Sequence, residues 1–209
     1  MNKKQDTLIY VWDAYCGWCY GFSKSINTFY KKHPELSLNV LSGGLFVDDK
    51  KLSIKSFPHI PQANKRISEL TGAEFGFSYE SLLSEGNFVL DSEAAAIGFS
   101  TLRSLAPERS LEFTSAIQHA FYYDGKSLSA PETYRDIAIA YNLNPELVVE
   151  QFEKEEILQD VYNDFKKVQE LGIHSYPTLL LKRGENYIPI GGGAMTADKI
   201  EARLQDIYS

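Results

Sequence analysis

The stretch Leu8-Ile9-Tyr10-Val11-Trp12-Asp13-Ala14-Tyr15-Cys16-Gly17-Trp18-Cys19 decides how this chain is read. Leu8 to Asp13 is a continuous apolar and β-branched run, the pattern of a strand buried on both faces of a sheet. From Cys19 to Lys32 the apolar and aromatic positions Tyr20, Phe22, Ile26, Phe29 and Tyr30 recur mostly at helical spacing, until His33-Pro34 stops them. Leu36 to Leu41 alternates as a second strand, and Ser42-Gly43-Gly44 breaks it. The first 45 residues therefore predict a β-α-β unit, with Cys16 and Cys19 at the junction of strand and helix.

The middle of the chain differs in kind. From about residue 61 to about 153 the patterns are amphipathic, punctuated by helix caps, with almost no strand signal. Asp91-Ser92-Glu93 opens a helix that ends before Pro107, and a second runs from Glu108 to Tyr123. Ser129-Ala130-Pro131-Glu132 and Asn144-Pro145-Glu146 open two more. Glu155 to Leu171 is a longer helix with Ile157, Val161, Phe165 and Val168 on one stripe and Gly172 as its stop. After Tyr176-Pro177 come a strand at Thr178 to Leu181, a turn at Arg183-Gly184-Glu185-Asn186, and a hairpin partner at Tyr187 to Ile190. A final helix begins after Thr196 as N-cap, with Ile200, Leu204 and Ile207 as its buried stripe. The order β-α-β, helical block, α-β-β-α predicts an α/β protein: a thioredoxin fold with a large all-helical insertion. Residues 1–55 and 155–209 form the expected core, and 56–154 the inserted domain.

Composition narrows the function. Of 209 residues 44% are hydrophobic, enough to fill a core, and 21 basic against 28 acidic residues leave a net charge of −7, so no basic surface for nucleic acid is expected. No apolar stretch approaches the roughly 20 residues of a membrane span. The N-terminal Met-Asn-Lys-Lys-Gln-Asp precedes an apolar run too short for a signal-peptide core, so a cytoplasmic location is expected. Two cysteines, three positions apart, fit neither a secreted disulfide scaffold nor a cysteine-rich zinc module.

A thiol attacks a disulfide as its thiolate, and free N–H groups with the positive end of a helix dipole stabilise that anion. Cys16 at the strand-to-helix junction is the expected nucleophile; Cys19, one turn on and more buried, is the expected resolving thiol. Two other readings stand beside this one. A zinc site needs two more ligands, but His33, His59, His119 and His174 are scattered, so no metal is expected. Both thiols as plain core residues is the second.

With the motif placed, the sequence resembles the DsbA-like branch of the thioredoxin superfamily, particularly its FrnE-type predicted cytosolic protein-disulfide isomerases. Asp13 to Phe22 is similar to the Asp-x-x-Cys-Pro-Trp-Cys-Tyr pattern of that family, with Gly17 in place of the proline. Segments at Val89 to Ala95, Ala120 to Gly125 and Gly172 to Thr178 echo it. The resemblance implies a cis-proline at Pro177 that turns the Tyr176 backbone toward the cysteines to pair with an extended substrate; an ordinary trans-proline starting an edge strand is the alternative. Gly17 and Trp18, between the cysteines, are expected to bind substrate, the Trp18 ring as an apolar contact, with packing of that ring against the insertion as the alternative. Asp13 reads equally as a proton carrier for Cys19 or as a cap of the following helix. The acid that thioredoxins bury six residues before the nucleophile is replaced by Tyr10. His174 reads as a loop or surface histidine.

The motif and the resemblance together imply a thiol–disulfide oxidoreductase or protein-disulfide isomerase acting on a protein or small-molecule disulfide, with no cofactor beyond the dithiol and glutathione as a candidate co-substrate. Neither Gly17 nor Trp18 carries positive charge, so a milder potential than that of the periplasmic oxidants, and hence reduction or isomerisation, is expected. The same branch is similar to kappa-class glutathione transferases and 2-hydroxychromene-2-carboxylate isomerases, which usually carry serine in place of the first cysteine. A non-enzymatic protease adaptor is a further alternative.

Overall fold

The computed structural model describes residues 6–209; residues 1–5, which belong to the N-terminal stretch behind the expected cytoplasmic location, lie outside the described residues. Strands β1 (Thr7–Trp12), β2 (Ser37–Ser42), β3 (Thr178–Arg183) and β4 (Asn186–Gly192) form one sheet in the order β2-β1-β3-β4. β1 runs parallel to β2 and antiparallel to β3, and β4 returns as the hairpin partner of β3 with a bulge at Leu179/Leu180. The central position of β1 explains its unbroken apolar sequence. Leu8, Tyr10 and Trp12 pack on one face with Phe22, Ile26 and Phe29 of helix α1 (Gly17–Tyr30) and with Ile200 and Leu204 of helix α9 (Ala197–Tyr208). Ile9 and Val11 face the other way, onto Leu41, Leu180 and Val168 of helix α8 (Glu155–Glu170). Helices thus cover both faces, as a strand with no polar alternation requires.

Between β2 and α8 lie α2 (Ile60–Thr71), α3 (Phe77–Glu85), α4 (Ser92–Leu105), α5 (Ser110–Tyr122), α6 (Pro131–Ala140) and α7 (Pro145–Gln151). An isolated bridge, Ser53 with Val89, is the strand-like pairing in this part. α2 and α3, which sequence patterning left undivided, end at Gly72 (φ 72°) and Gly86 (φ 73°), both in the left-handed conformation that glycine adopts without a Cβ penalty. The helix expected from Glu108 begins instead with a 3₁₀ turn at Pro107–Arg109.

The α8 stripe departs from expectation in one place: Asp164, not Phe165, is buried beside Ile157, Val161 and Val168. A buried carboxylate needs partners. Arg103 of α4 supplies a 2.9 Å hydrogen bond, and the Ser42 N–H another at 3.0 Å. The same guanidinium donates to the Val40 carbonyl at 2.7 Å and pairs with Asp160, pinning the insertion to the edge of the sheet.

Candidate active site

β1 ends in a tight turn that delivers the first cysteine. The Tyr15 N–H donates to Asp13 Oδ1 at 2.9 Å and the Cys16 N–H to the Asp13 carbonyl at 3.1 Å. Cys16 is itself the N-cap of α1, in extended conformation, and its sulfur accepts from the Cys19 N–H at 3.4 Å. That sulfur occupies the position of a capping oxygen, against one of the N–H groups that a helix start leaves unpaired. α1 therefore begins at Gly17, two residues earlier than the apolar spacing indicated.

Across from it, the Tyr176–Pro177 peptide bond is cis, and the Cys16 thiol donates to the Tyr176 carbonyl at 3.3 Å, bridging 160 positions of sequence. Tyr176 is held by its own hydroxyl, which donates to the Gly43 carbonyl, and by close approach of its ring to Gly43, where a Cβ would lie 2.5 Å from ring carbons. The Ser42-Gly43-Gly44 break after β2 is thus the seat of the residue facing the nucleophile.

Both thiols are free; Cys16 is 6% exposed and Cys19 fully buried. Burial, reinforced by the hydrogen bond and charge of Cys16, pushes the Cys19 thiol well above its ordinary pKa, with a backbone hydrogen bond at Asp13 acting the other way. Tyr10 lies on the same face of β1, buried, with its hydroxyl unpartnered. Burial first, then the charges of Cys19 and Cys16, raise its pKa.

Of the two readings of Asp13, the cap fails: the N-cap of α1 is Cys16. The Asp13 carboxylate is saturated by the N–H groups of Tyr15 and Leu45 (2.9 and 2.8 Å) and by the Ser92 hydroxyl at 3.1 Å. It ties the cysteine turn to the segment after β2 and to the start of α4. Burial raises its pKa, and the hydrogen bonds at Leu45, Tyr15 and Ser92 hold that rise in check. Gly17 faces α2 rather than solvent: a Cβ there would lie 2.9 Å from Ile67 Cδ1, and one at Gly21 2.7 Å from Ile67 Cγ2. Two glycines one turn apart let α2 lie directly on α1. Trp18 is half-buried and borders two hollows with His59 and Ala63. His174 is exposed, on the loop before β3.

Residues that sequence reading did not single out complete the surroundings: Asn64 and Ile67 of α2, Leu45, Ser92, and Tyr122 of α5. Asn64 and Tyr79 are buried together, the amide donating to the phenol oxygen at 2.9 Å. The Tyr122 hydroxyl lies 3.8 Å from where a Cβ of Gly17 would be, next to the cysteines, and its pKa is raised by burial first and then by the charges of Tyr79, Cys16 and Cys19.

No protein-family model and no curated protein matches this sequence. Solved structures do. A proposed protein disulfide isomerase from Nitrosomonas europaea is 24% identical, with 97% of each chain covered and a TM-score of 0.86. The cytosolic disulfide reductase DsbM from Pseudomonas aeruginosa is 22% identical, covering 97% of this chain and 98% of that one at a TM-score of 0.81, and a further structure of it is with GSH. A 2-hydroxychromene-2-carboxylate isomerase, 9% identical over 97% of this chain and 96% of its own, superposes at a TM-score of 0.67. These likenesses establish the architecture: the chain has the DsbA-like form of the thioredoxin fold, with its helical insertion between β2 and α8.

Proposed function

We propose that the protein is a thiol–disulfide oxidoreductase that reduces or isomerises disulfides through Cys16 and Cys19. The observation that carries this is the placement of the Cys16 sulfur: on the N-cap of α1, 3.3 Å from the Tyr176 carbonyl, with a second free thiol one turn behind it. Cys16, as thiolate, attacks one sulfur of a substrate disulfide, forming a mixed disulfide and releasing the other sulfur as thiolate. Cys19 then loses its proton and attacks the Cys16 sulfur, releasing the second substrate thiolate. The substrate gains two electrons and the protein is left with a Cys16–Cys19 disulfide, which two external thiols reduce. The raised pKa of buried Cys19 suits the order of events, since it stays protonated while Cys16 attacks first.

Glutathione is the proposed thiol donor, consistent with the GSH found with DsbM. A cytoplasmic setting suits a reductase, because the glutathione pool there keeps such a dithiol reduced. The substrate backbone is proposed to pair with that of Tyr176 beside Pro177, as an added strand. The test is insulin reduction by the wild type beside Cys16→Ser, with the potential measured on the same preparation. Activity lost in Cys16→Ser, and a potential between about −180 and −270 mV, are expected. A potential near about −120 mV would overturn the direction. Glutathione conjugation surviving loss of both thiols would overturn the reaction itself.

A further inference from the structure

Behind the nucleophile lies a cavity that the exchange reaction does not itself require. Its volume is about 150 Å³, and Cys16 and Gly17 form one side of it. The apolar part of its lining includes Phe46, Ile54, Ile60, Ile67, Leu90 and Phe121. Two of its polar walls, Asn64 and Tyr79, are hydrogen-bonded to each other at 2.9 Å. Tyr15, His59 and Tyr122 add ring surface to the lining, so a hollow of this size has mostly apolar walls and is large enough for a benzene-sized molecule. Trp18, His59 and Ala63 line both this cavity and a second, outer hollow, so the two adjoin at the residue two positions after Cys16, which itself lines the inner one.

We infer that this cavity is a specificity pocket for a benzene-sized apolar group carried next to the reacting sulfur of the substrate. The inference rests on the thiol–disulfide exchange proposed above. A group seated there leaves its own sulfur against Cys16, so the mixed disulfide forms with the apolar half of the substrate. The other half departs as thiolate, and attack by Cys19 later releases the apolar thiol.

The experiment compares two mixed disulfides of glutathione, one with benzyl mercaptan and one with 2-mercaptoethanol, each enzymatic rate divided by the rate of the same disulfide with dithiothreitol. The pocket predicts a kcat/KM preference of about tenfold or more for the benzyl compound, from burial of one aromatic ring. Ala63→Phe, which fills the cavity, is expected to bring the ratio close to one. Independently, wild-type crystals soaked in iodobenzene are expected to show its iodine inside the cavity between Ile54 and Ile67. Equal normalised rates in the wild type, or a cavity without iodobenzene at saturation, would overturn the inference. If neither disulfide reacts while iodobenzene binds, the exchange reading fails and the apolar site stands.

Discussion

Replacing Asp13 by alanine leaves the two N–H groups of Tyr15 and Leu45 without their acceptor, whereas the Ser92 hydroxyl can rotate away. An orphaned buried donor costs about 1–3 kcal/mol. The Leu45 N–H is only partly shielded from water, and removing a buried carboxylate also removes its own desolvation cost. The net loss expected is about 2–4 kcal/mol, or some 4–16 °C in Tm for a chain of this size. Urea unfolding with an unchanged m-value measures it. Asp13→Asn keeps one acceptor oxygen and should recover part of the loss together with most of the exchange activity, because the residue is read as an anchor of the cysteine turn. The pH dependence has a definite sign. Burial raises the folded pKa of Asp13 above its unfolded value, so the native state holds this proton more tightly. Its favourable contribution is complete below the unfolded pKa and is lost as pH rises through the folded one, so wild type should decline relative to Asp13→Asn over that interval. A loss below about 1 kcal/mol in Asp13→Ala would refute the anchor. Wild-type stability with abolished exchange in Asp13→Asn would make the carboxylate a proton carrier instead.

Gly98→Ala on α4 places a Cβ 1.9 Å from Tyr134 Cζ, and Tyr134 is fully buried with its hydroxyl donating to Leu128 at 2.7 Å. Although alanine favours an exposed helix by about 1 kcal/mol, this variant should lose about 3 kcal/mol or more, and an unchanged urea midpoint would contradict the packing described. Arg103→Met strands Asp164 without its cation and should cost about 3–5 kcal/mol; the double variant with Asp164→Leu should recover part of it, as denaturation can show. Tyr176→Phe removes the bond to Gly43 and should lower the insulin-reduction rate while shifting stability by about 1 kcal/mol. An unaltered rate would detach Tyr176 from the site.

The elements that carry the sheet were legible because each is continuous in sequence. The apolar run of β1 is the signature of a strand covered on both faces, and Thr196 is the N-cap of α9, accepting from the Lys199 N–H at 3.4 Å. Placing the cysteines at the end of β1 required only that junction. What escaped depends on residues distant in the chain. Two partners of the Asp13 carboxylate lie 32 and 79 positions away, and only they distinguish an anchor from a cap. Gly17 reads as a substitution for proline until Ile67 is seen resting on it. Helical spacing puts Phe165 on the buried stripe of α8, and only Arg103 from another helix makes the burial of Asp164 in its stead tolerable. The cavity behind Cys16 is assembled from α1, α2, α3, α5 and the segment after β2, and no periodicity records it.

The division of labour between the thiols is tested most directly by mass spectrometry of two variants after exposure to oxidised glutathione. Cys19→Ser should gain one glutathionyl group, held on Cys16 because no thiol remains to release it, while Cys16→Ser, its remaining thiol fully buried and its pKa raised, should gain none. Equal labelling of the two variants, or labelling of Cys16→Ser alone, would contradict Cys16 as the attacking sulfur.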